Sequence, residues 1–387
     1  MKIALYGGSF NPPHLGHQEA AKTAAEELRP DMLLIMPDNI PPHKDMAEGS
    51  PDARQRMELC ELAFEDIPGA VVSDMEISRE GRSYTADTVS RLRERYGDDE
   101  LFLIVGTDML ASFEQWYRFE YLLKSCTLAA LSRAEDDVDE IRARAKYLEE
   151  KYHARVRILP HVPVEVSSTE IREGLRLRRG CNALDDRVYS CIIKNGYYEA
   201  LPELSWLREK AYAYLAPKRV AHVAGCESEA VLLAKRWGED EEAAATAGIL
   251  HDVTKKLSYD EQLILCEKYG IICDKAELSA PKLLHAKTGA ALARAEFGVS
   301  EAIYEAIRWH TTGKKDMTLL EKIIYLADYI EPNRDFEGLD KLRELAYSDI
   351  DGAMALGLEM SLEDIRSRGD EPYKDTVEAY EWYAGRR

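Results

Sequence analysis

At 387 residues, the chain is longer than one hydrophobic core usually supports, which predicts two domains. Its composition, 45% hydrophobic and 32% charged, is typical of an ordinary soluble globular protein. The formal net charge of -20 argues against a general binder of nucleic acid or of anionic membranes. Any phosphate ligand must therefore be held by local basic groups and backbone amides.

Cysteine usage and the N-terminal stretch bear on the compartment. Seven cysteines without a C-x-x-C pair are typical of reduced thiols rather than of a disulfide framework. Glycines break the apolar run of MKIALYGG after four residues, so it does not predict a signal peptide. No run approaches the roughly 18 apolar residues of a membrane span. We therefore expect a cytoplasmic protein, and the sequence leaves open whether it forms a homo-oligomer.

The first half of the chain alternates short apolar runs with amphipathic helical stretches such as HQEAAKTAAEELR and DARQRMELCELAFE. The runs that predict strands are, in chain order, KIALYG, DMLLIMP, LFLIVGTD, CTLAALSR and VRILPHV. Several are continuously apolar, as in a sheet that is covered on both faces. This β-α-β-α order predicts an α/β domain with a parallel, doubly wound sheet and right-handed crossovers.

The pattern changes after about Gly196, and we place the domain boundary near Leu204, giving domains of residues 1–204 and 205–387. Beyond the boundary nearly every segment has helical periodicity, from RVAHVAGCESEAVLLAKRW to LLEKIIYLADYI. The second domain is therefore predicted to be all-α.

A candidate phosphate site follows the first predicted strand, in the stretch GGSFNPPHLGH. Gly7 and Gly8 allow a phosphate or a sugar to approach the backbone, and the next helix offers free N–H groups to an anion. His14 and His17 are three residues apart in the first helical turn, so both can face that anion. A glycine pair alone more often marks an ordinary tight turn with surface or capping histidines.

The longer stretch is more specific. H-x-G-H after a glycine-rich turn resembles the nucleotidyltransferase signature, and the full stretch is similar to that of bacterial nicotinate-nucleotide adenylyltransferases. Over residues 1–204, further motifs that resemble the family follow in order: PPHK with His43 and Lys44, SYTADT with Tyr84 and Thr85, VGTDML with Asp108, FEQWYR with Trp116 and Tyr117, and VSSTEIR. The resemblance implies a Rossmann-like nucleotidyltransferase domain.

The motif VSSTEIR also has a local interpretation. Ser167 and Glu170 have the spacing of a capping box, which predicts a helix start whatever the segment binds. A cap alone would explain an isolated match. Ser168, Thr169 and Arg172 add hydroxyls and a fork-shaped cation beside the helix start, which suits a polyphosphate.

The resemblance implies attack by nicotinate mononucleotide on the α-phosphate of ATP, which gives the deamido dinucleotide and pyrophosphate. Nicotinate is favoured over nicotinamide through the resemblance alone. With Mg²⁺, the implied catalytic residues are His14, His17, Lys44 and Arg172. The implied substrate-binding residues are Gly7, Gly8, Ser9, Phe10, Thr85, Asp108, Trp116, Tyr117, Ser168 and Thr169. Trp116 is expected to stack on the pyridine, with Thr85 and Tyr117 at its carboxylate.

A second candidate site lies in the helical half. His251 and Asp252 directly follow an apolar helical run, and titratable groups there are costly unless something pairs with them. One such histidine would usually be a satisfied core residue. Titratable residues lie on apolar faces of five predicted helices, however: His222, His251, Asp252, His285, His310 and Asp328. A divalent cation is the simplest common partner for such a set.

The order H…HD…H…H…D resembles the HD phosphohydrolase superfamily. By that resemblance His222, His251, Asp252 and Asp328 are the basic metal set, and His285 and His310 are the extra ligands of a two-metal version. Imidazole and carboxylate ligands suit iron, or manganese as the alternative, better than a thiolate-preferring metal.

The flanking motifs LLHAKTGA, AIRWHTTG and YLADYIEPNRDFEG resemble the YqeK-type HD hydrolases over roughly residues 208–385. That family splits diadenosine tetraphosphate symmetrically into two ADP. Asp252 and Lys255 are implied as catalytic residues and Arg334 as a phosphate ligand, although a solvated surface role suits Arg334 equally well. Two relatives are disfavoured, because HDVTKK is not followed by the E-D pair of guanosine tetraphosphate hydrolases and WHTTG replaces the G-Y-P motif of cyclic-dinucleotide phosphodiesterases.

Two alternatives remain for the helical half. It could sense nucleotides and regulate the first domain without turnover, or it could be a phosphatase that acts on other nucleotides. A pure sensor has no need for six metal ligands, which favours the bifunctional enzyme.

Overall fold

The computed structural model describes residues 1–40, 46–79, 81–131, 138–160, 164, 166–279 and 281–386. The chain divides into two compact units, Met1–Leu201 and Pro202–Arg387. None of the described helices is long and apolar enough to cross a membrane.

The first unit is built on one parallel sheet. Its strands are β1 (Lys2–Gly8), β2 (Met32–Pro37), β3 (Ala70–Val72), β4 (Glu100–Gly106), β5 (Thr127–Leu131) and β6 (Arg155–Ile158). Their order across the sheet is β3-β2-β1-β4-β5-β6, and every neighbouring pair is parallel. This is the predicted Rossmann-like sheet, with one strand, β3, that the sequence pattern missed.

Helices follow the strands in the alternation that a parallel sheet requires. They are α1 (Leu15–Leu28), α2 (Ala53–Phe64), α3 (Thr85–Tyr96), α4 (Thr107–Ala111), α5 (Phe119–Ser125), α6 (Val138–Tyr152), α7 (Ser168–Arg176) and α8 (Asp186–Asn195). Val89 of α3 and Leu122 of α5 are fully buried in one core with Leu103 of β4 and Leu128 of β5. This burial explains why the strands are continuously apolar.

The sheet topology sets where ligands can bind. β1 pairs with β2 on one side and with β4 on the other, so the direction of the crossovers reverses between β1 and β4. Doubly wound sheets bind ligands at the carboxyl ends of strands beside such a switch point. β1 ends at Gly8 and β4 at Gly106, so GGSFNPPHLGH and VGTDML open at this edge.

The second unit consists of helices in its described part, as predicted. They are α9 (Leu204–Ala213), α10 (Pro217–Trp237), α11 (Glu241–Leu250), α12 (Tyr259–Tyr269), α13 (Lys275–Ser279), α14 (Pro281–Phe297), α15 (Glu301–Trp309), α16 (Leu319–Ile330), α17 (Leu339–Ser348), α18 (Ile350–Ser367) and α19 (Lys374–Ala384). α11 packs against α10, α15 and α16.

Helix α11 lies at the centre of this unit, and residues 244–250 are all buried. Its close packing on α10 depends on Gly248, because a Cβ there would lie 2.8 Å from the Cα of Glu227. Asp240 caps the helix by accepting hydrogen bonds from the backbone N–H groups of Glu242 and Ala243. This packing fixes the end of α11, where His251 and Asp252 follow.

Two candidate active sites

The turn between β1 and α1 holds the two histidines of H-x-G-H. His14 is the N-cap of α1, and its backbone N–H donates a hydrogen bond to Nδ1 of His17 at 3.2 Å. Because Nδ1 of His17 accepts, the ring proton of its neutral form lies on Nε2. The two rings lie with centroids 3.7 Å apart, and a Cβ on Gly16 would lie 3.1 Å from Nδ1 of His14. Glycine between the histidines therefore permits this close ring pair.

Phe10 is buried beneath this turn. Its side chain is 2% exposed, its ring centroid lies 5.0 Å from that of His17, and its backbone has φ 44°. The ring also contacts Tyr6 and Phe64 edge-on. The Phe10 side chain therefore supports His17 from below, which leaves backbone groups of the loop for a ligand.

The motif VSSTEIR lies against the same turn. Ser167 caps α7 by accepting a hydrogen bond from the backbone N–H of Glu170. The guanidinium of Arg172 donates to the carbonyl of Asn11 at 2.7 Å and to the hydroxyl of Thr169 at 3.1 Å, and Ser168 donates to the carbonyl of Pro12 at 3.4 Å. Two motifs that are distant in sequence therefore form one site.

A buried arginine that the sequence reasoning missed fixes the loops after β1 and β2. Arg56 of α2 is 1% exposed and donates to the carbonyl of Ser9, to the carboxylate and carbonyl of Asp38 and to the carbonyl of Asn39. Burial raises the pKa of Asp38, although Arg56 lowers it. The sequence pattern could have revealed Arg56, because it lies on an otherwise apolar helix face with Leu59, Cys60 and Ala63.

Tyr198 is a second supporting residue that the sequence did not reveal. It is fully buried, and its hydroxyl donates to Oδ1 of Asn11 at 2.7 Å. Asn11 also donates from Nδ2 to the hydroxyl of Ser50 at 2.9 Å. Asn11 thus holds the loop with its side chain while its carbonyl accepts from Arg172.

The residues expected around a pyridine lie on neighbouring elements. Thr85 begins α3, and Asp108 lies in the first turn of α4, directly after β4. Trp116 stacks on Phe113 with ring centroids 5.0 Å apart, while Tyr117 is half exposed and its ring lies 4.9 Å from that of Tyr84. The contact between Tyr84 and Tyr117 joins the loop before α3 to the loop before α5. His43 and Lys44 lie outside the described residues.

In the helical unit the six predicted ligands converge. His222 lies on α10, His285 on α14 and Asp328 on α16, whereas His251 and His310 are the residues that end α11 and α15. The ligands form two groups, and within each group the donor atoms all lie within 4.8 Å of one another. The first group is His222, His251 and Asp328, and the second is His251, Asp252 and His310.

Asp252 lies between two pairs of histidines and is fully buried. Its Oδ2 lies 3.4 Å from Nε2 of His251 and 3.8 Å from Nε2 of His222. Its Oδ1 lies 3.2 Å from Nε2 of His285 and 3.6 Å from Nε2 of His310. One carboxylate therefore presents one oxygen to each half of the cluster, an arrangement that suits two cations.

The four imidazoles are all oriented in the same way. Nδ1 of His251 donates to the carbonyl of Gly248 at 2.7 Å, and Nδ1 of His285 and His310 donate to the carbonyls of Lys282 and Ile307 at 2.5 and 2.6 Å. Nδ1 of His222 lies 3.0 Å from Oε1 of Glu331. Since carbonyls only accept, Nδ1 of His251, His285 and His310 carries a proton, and Nε2 of each ring faces the cluster, as metal ligation requires.

The electrostatics of the cluster also fit a bound cation. Burial lowers the pKa of His285 to about 4 and lowers that of His310, so both are neutral near pH 7. Although burial raises the pKa of Asp252, the surrounding histidines hold it well below its usual value. Of the buried polar atoms that have no hydrogen-bond partner among the described residues, three belong to this cluster: Nε2 of His222, Nε2 of His251 and Oδ1 of Asp252.

Cationic groups surround the cluster. Lys255 places Nζ 2.8 Å from Nε2 of His285 and 3.6 Å from Oδ1 of Asp252. Arg334 donates to the side chain and to the carbonyl of Asp328 at 2.8 and 3.0 Å, and its side chain remains 36% exposed. Arg219 was missed, and it donates from Nε to Oδ2 of Asp252 at 2.6 Å. The sequence could have indicated Arg219, because it lies one helical turn before His222 and therefore on the same helix face.

Thr311 was missed too. Its hydroxyl lies 3.1 Å from Nε2 of His310 and 3.3 Å from Nε2 of His285. It follows His310 directly in the chain, and nothing in its sequence context distinguishes it from an ordinary turn threonine.

Comparison with known proteins agrees with this division of the chain. The cytidylyltransferase-like family matches residues 5–174, and the HD domain family matches residues 219–333. A probable nicotinate-nucleotide adenylyltransferase of Lachnoclostridium phytofermentans is 36% identical over 200 residues, which are 51% of this chain and 98% of the relative.

Two further matches are named as hydrolases. A probable nicotinate-nucleotide adenylyltransferase/Ap4A hydrolase of Mycoplasma pneumoniae is 26% identical over 370 residues, which are 94% of this chain and 98% of the relative. A crystal structure described as a predicted HD superfamily hydrolase involved in NAD metabolism, from Clostridium acetobutylicum, is 34% identical with a TM-score of 0.47, and the match covers 49% of this chain and all of that one. The chain thus belongs to the nicotinate-nucleotide adenylyltransferase family and carries an HD domain in its second half.

Proposed function

We propose that the first domain, residues 1–204, transfers the adenylyl group of ATP to nicotinate mononucleotide. Membership of the adenylyltransferase family supports this reaction. The observation that carries it is the hydrogen bond from Arg172 to the carbonyl of Asn11, at 2.7 Å, because it brings the second phosphate motif to the histidine turn. In the proposed complex, His17 donates from Nε2 to a phosphate oxygen.

The reaction requires no covalent enzyme intermediate. A phosphate oxygen of nicotinate mononucleotide forms a bond to the α-phosphorus of ATP. The bond from that phosphorus to the oxygen shared with the β-phosphate breaks, and pyrophosphate leaves with the electron pair. Because negative charge spreads over phosphate oxygens, positioning and charge neutralisation supply the catalysis.

The roles proposed for the side chains are those that the family resemblance implies. His14, His17 and Arg172 neutralise phosphate charge, and Lys44 is proposed for the same task. Bound Mg²⁺ supplies further positive charge to the phosphates. Trp116 stacks on the pyridine, and Thr85 and Tyr117 bind its carboxylate. The remaining contacts to the nucleotides are assigned to Gly7, Gly8, Ser9, the backbone of Phe10, Asp108, Ser168 and Thr169.

Product analysis tests this half of the proposal. The full-length protein is incubated with ATP, Mg²⁺ and either nicotinate or nicotinamide mononucleotide, and the products are separated by chromatography. We expect deamido-NAD and pyrophosphate, formed faster from the nicotinate substrate. Formation of NAD from nicotinamide mononucleotide at an equal rate would contradict the assigned specificity, and the absence of both dinucleotides would contradict the activity.

For residues 205–387 we propose metal-dependent hydrolysis of diadenosine tetraphosphate into two ADP. The observation that carries it is the position of Asp252, whose two oxygens each lie within 3.8 Å of two imidazole Nε2 atoms. His222, His251, Asp252 and Asp328 would hold one divalent ion, and Asp252, His285 and His310 the second. We propose iron, with manganese as the alternative.

The chemistry is a phosphoanhydride hydrolysis. The oxygen of water forms a bond to one central phosphorus, and the bridging oxygen leaves with the other central phosphate, so that each half is ADP. The ions, when bound, polarise phosphate oxygens and acidify water. Lys255, Arg219 and Arg334 surround the cluster with positive charge, which suits a substrate that carries four phosphates.

The test measures metal content and products together. The full-length protein is reconstituted with Fe²⁺ or Mn²⁺ and incubated with diadenosine tetraphosphate. His251→Ala is the variant that is expected to lose hydrolysis, and His153→Asn in the first unit is the control. We expect ADP alone from the wild type and from the control. ATP with AMP would contradict the symmetrical cut, turnover of mononucleotides alone would favour a phosphatase, and binding without turnover would favour a sensor.

A further inference from the structure

Glu331, which directly follows helix α16, is a buried carboxylate beside the metal cluster. It is 1% exposed, and its Oε1 lies 3.0 Å from Nδ1 of His222. Histidines 251, 285 and 310 use backbone carbonyls at the corresponding nitrogen. His222 is therefore the member of the cluster whose orientation depends on a side chain that substitution can change.

The other oxygen of Glu331 is held by Asn333. The backbone N–H of Asn333 donates to Oε2 at 2.7 Å, and its side-chain amide donates to the same oxygen at 2.9 Å. That side-chain amide also donates to the carbonyl of Ala221, the residue before His222. The carboxylate thus accepts from donors on two sides and cannot rotate freely.

Space for the carboxylate is provided by Gly225, three residues after His222 on α10. A Cβ on Gly225 would overlap Oε2 of Glu331 and would lie 3.0 Å from Nδ2 of Asn333. Glycine is otherwise unfavourable inside a helix. A glycine at this position is explained by the need to admit Glu331.

We propose that Glu331 is a positioning residue for the metal centre, which keeps the proton of His222 on Nδ1 and its Nε2 lone pair directed at the metal. Gly225 and Asn333 hold Glu331 in place for this task. The proposal rests on the metal centre proposed above. A carboxylate behind a ligating imidazole both fixes the ring and makes it a stronger ligand.

Replacement by glutamine gives a specific expectation. Two donors of Asn333 hold the position of Oε2, so the amide oxygen of the introduced glutamine would take that place. Its NH₂ group would then face Nδ1 of His222 and donate to it. Nδ1 would become an acceptor, and the neutral ring would carry its proton on Nε2, where it opposes metal binding.

The test uses the full-length chain with Glu331→Gln, and with Glu321→Gln as the matched control. Glu321 lies on α16 and is also 1% exposed, but it accepts from Thr318 and pairs with Lys314. Affinity for Mn²⁺ is measured by competition with a chromophoric chelator. We expect Glu331→Gln to weaken Mn²⁺ binding by about 10- to 100-fold and Glu321→Gln to leave it within about twofold.

A second readout is independent of metal. The tautomer of His222 is read from long-range ¹H–¹⁵N correlations in the metal-free protein labelled with ¹⁵N-histidine, with the signal assigned by its loss in His222→Asn. We expect the proton on Nδ1 in the wild type and on Nε2 in Glu331→Gln. An unchanged tautomer together with unchanged Mn²⁺ affinity would overturn the role of Glu331.

Gly225→Ala extends the test if Glu331→Gln does not fold. The added methyl group favours the helix but displaces the carboxylate, so we expect weaker Mn²⁺ binding in a chain that is still folded. Unchanged affinity in folded Gly225→Ala would overturn the proposal. A wild-type chain that binds no Mn²⁺ or Fe²⁺ would instead refute the metal centre itself, and the tautomer would still report on Glu331.

Discussion

Arg172 donates a hydrogen bond to the backbone carbonyl of Asn11 at 2.7 Å, across 161 positions of the sequence. The same guanidinium donates to Thr169 in its own helix. Its planar fork is thereby aimed at the turn that also carries His14 and His17.

Arg172→Lys tests whether the fork or the charge matters. Lysine keeps the positive charge but cannot bond Asn11 and Thr169 and still face a phosphate in a fixed direction. We expect kcat/KM for dinucleotide formation to fall by about 10- to 100-fold in Arg172→Lys and by about 10²- to 10³-fold in Arg172→Ala. Equal activity of Arg172→Lys and the wild type would mean that charge alone suffices.

His17→Ala should abolish dinucleotide formation while the fold is retained. The substitution removes the Nε2 donor and also the Nδ1 acceptor of the His14 backbone N–H, so the fold is measured separately. His153→Asn is the control, because His153 has φ 53°, a conformation that asparagine tolerates. Steady-state kinetics give the activity and circular dichroism the fold. Retained activity in folded His17→Ala would remove this histidine from the catalytic set.

The number of metal ions bound per chain tests whether the HD cluster forms two metal sites that share Asp252. We expect about two ions per chain in the wild type, about one in His285→Gln and fewer than one in Asp252→Asn, because both halves share Asp252. Elemental analysis by mass spectrometry measures the ions in reconstituted, desalted protein. Two ions retained in Asp252→Asn would contradict a shared carboxylate.

The stability of the metal-free chain should depend on pH through His285. Burial lowers its folded-state pKa to about 4, below the ordinary value of 6.5. Between these values the unfolded chain binds more protons, so the free energy of unfolding falls as the pH is lowered from 6.5 towards 4, by at most about 3 kcal/mol. Denaturant unfolding at several pH values checks this. His285→Gln should show a weaker pH dependence than the wild type in the same window.

Gly248→Ala and Gly357→Ala form a matched pair inside two buried helices. A Cβ on Gly248 would lie 2.8 Å from the Cα of Glu227, whereas one on Gly357 would lie 3.5 Å from the nearest atom of Tyr325. We expect Gly248→Ala to cost about 1–3 kcal/mol or more. Gly357→Ala should be neutral or stabilising by up to about 1 kcal/mol. Unfolding in guanidinium chloride measures both, and equal effects would contradict the close approach of α10 and α11.

The sequence predicts those parts of the protein whose pattern is local. Strands β1, β2, β4 and β5 are buried on both faces and therefore appear as apolar runs. β3 has three residues, none of them fully buried, so it leaves no such pattern. The six residues of the HD cluster could be found because titratable side chains on apolar helix faces are unusual.

What the sequence does not disclose is which groups the supporting residues behind each site contact. The guanidinium of Arg56 bonds backbone carbonyls of two loops, and a backbone carbonyl has no sequence identity. Glu331 follows α16 in a polar segment, where an acidic residue looks unremarkable until α10 lies beside it. Such contacts depend on tertiary packing, which one sequence without its structure does not encode visibly.

The hydrogen bond from Tyr198 to Asn11 has a practical consequence for dissecting this protein. The nucleotide-binding loop near the start of the chain is fastened by a residue that lies almost at the end of the first compact unit. A fragment that stops before Tyr198 would keep every signature motif and still lose this anchor. A stand-alone version of the first unit should therefore extend at least through residue 201.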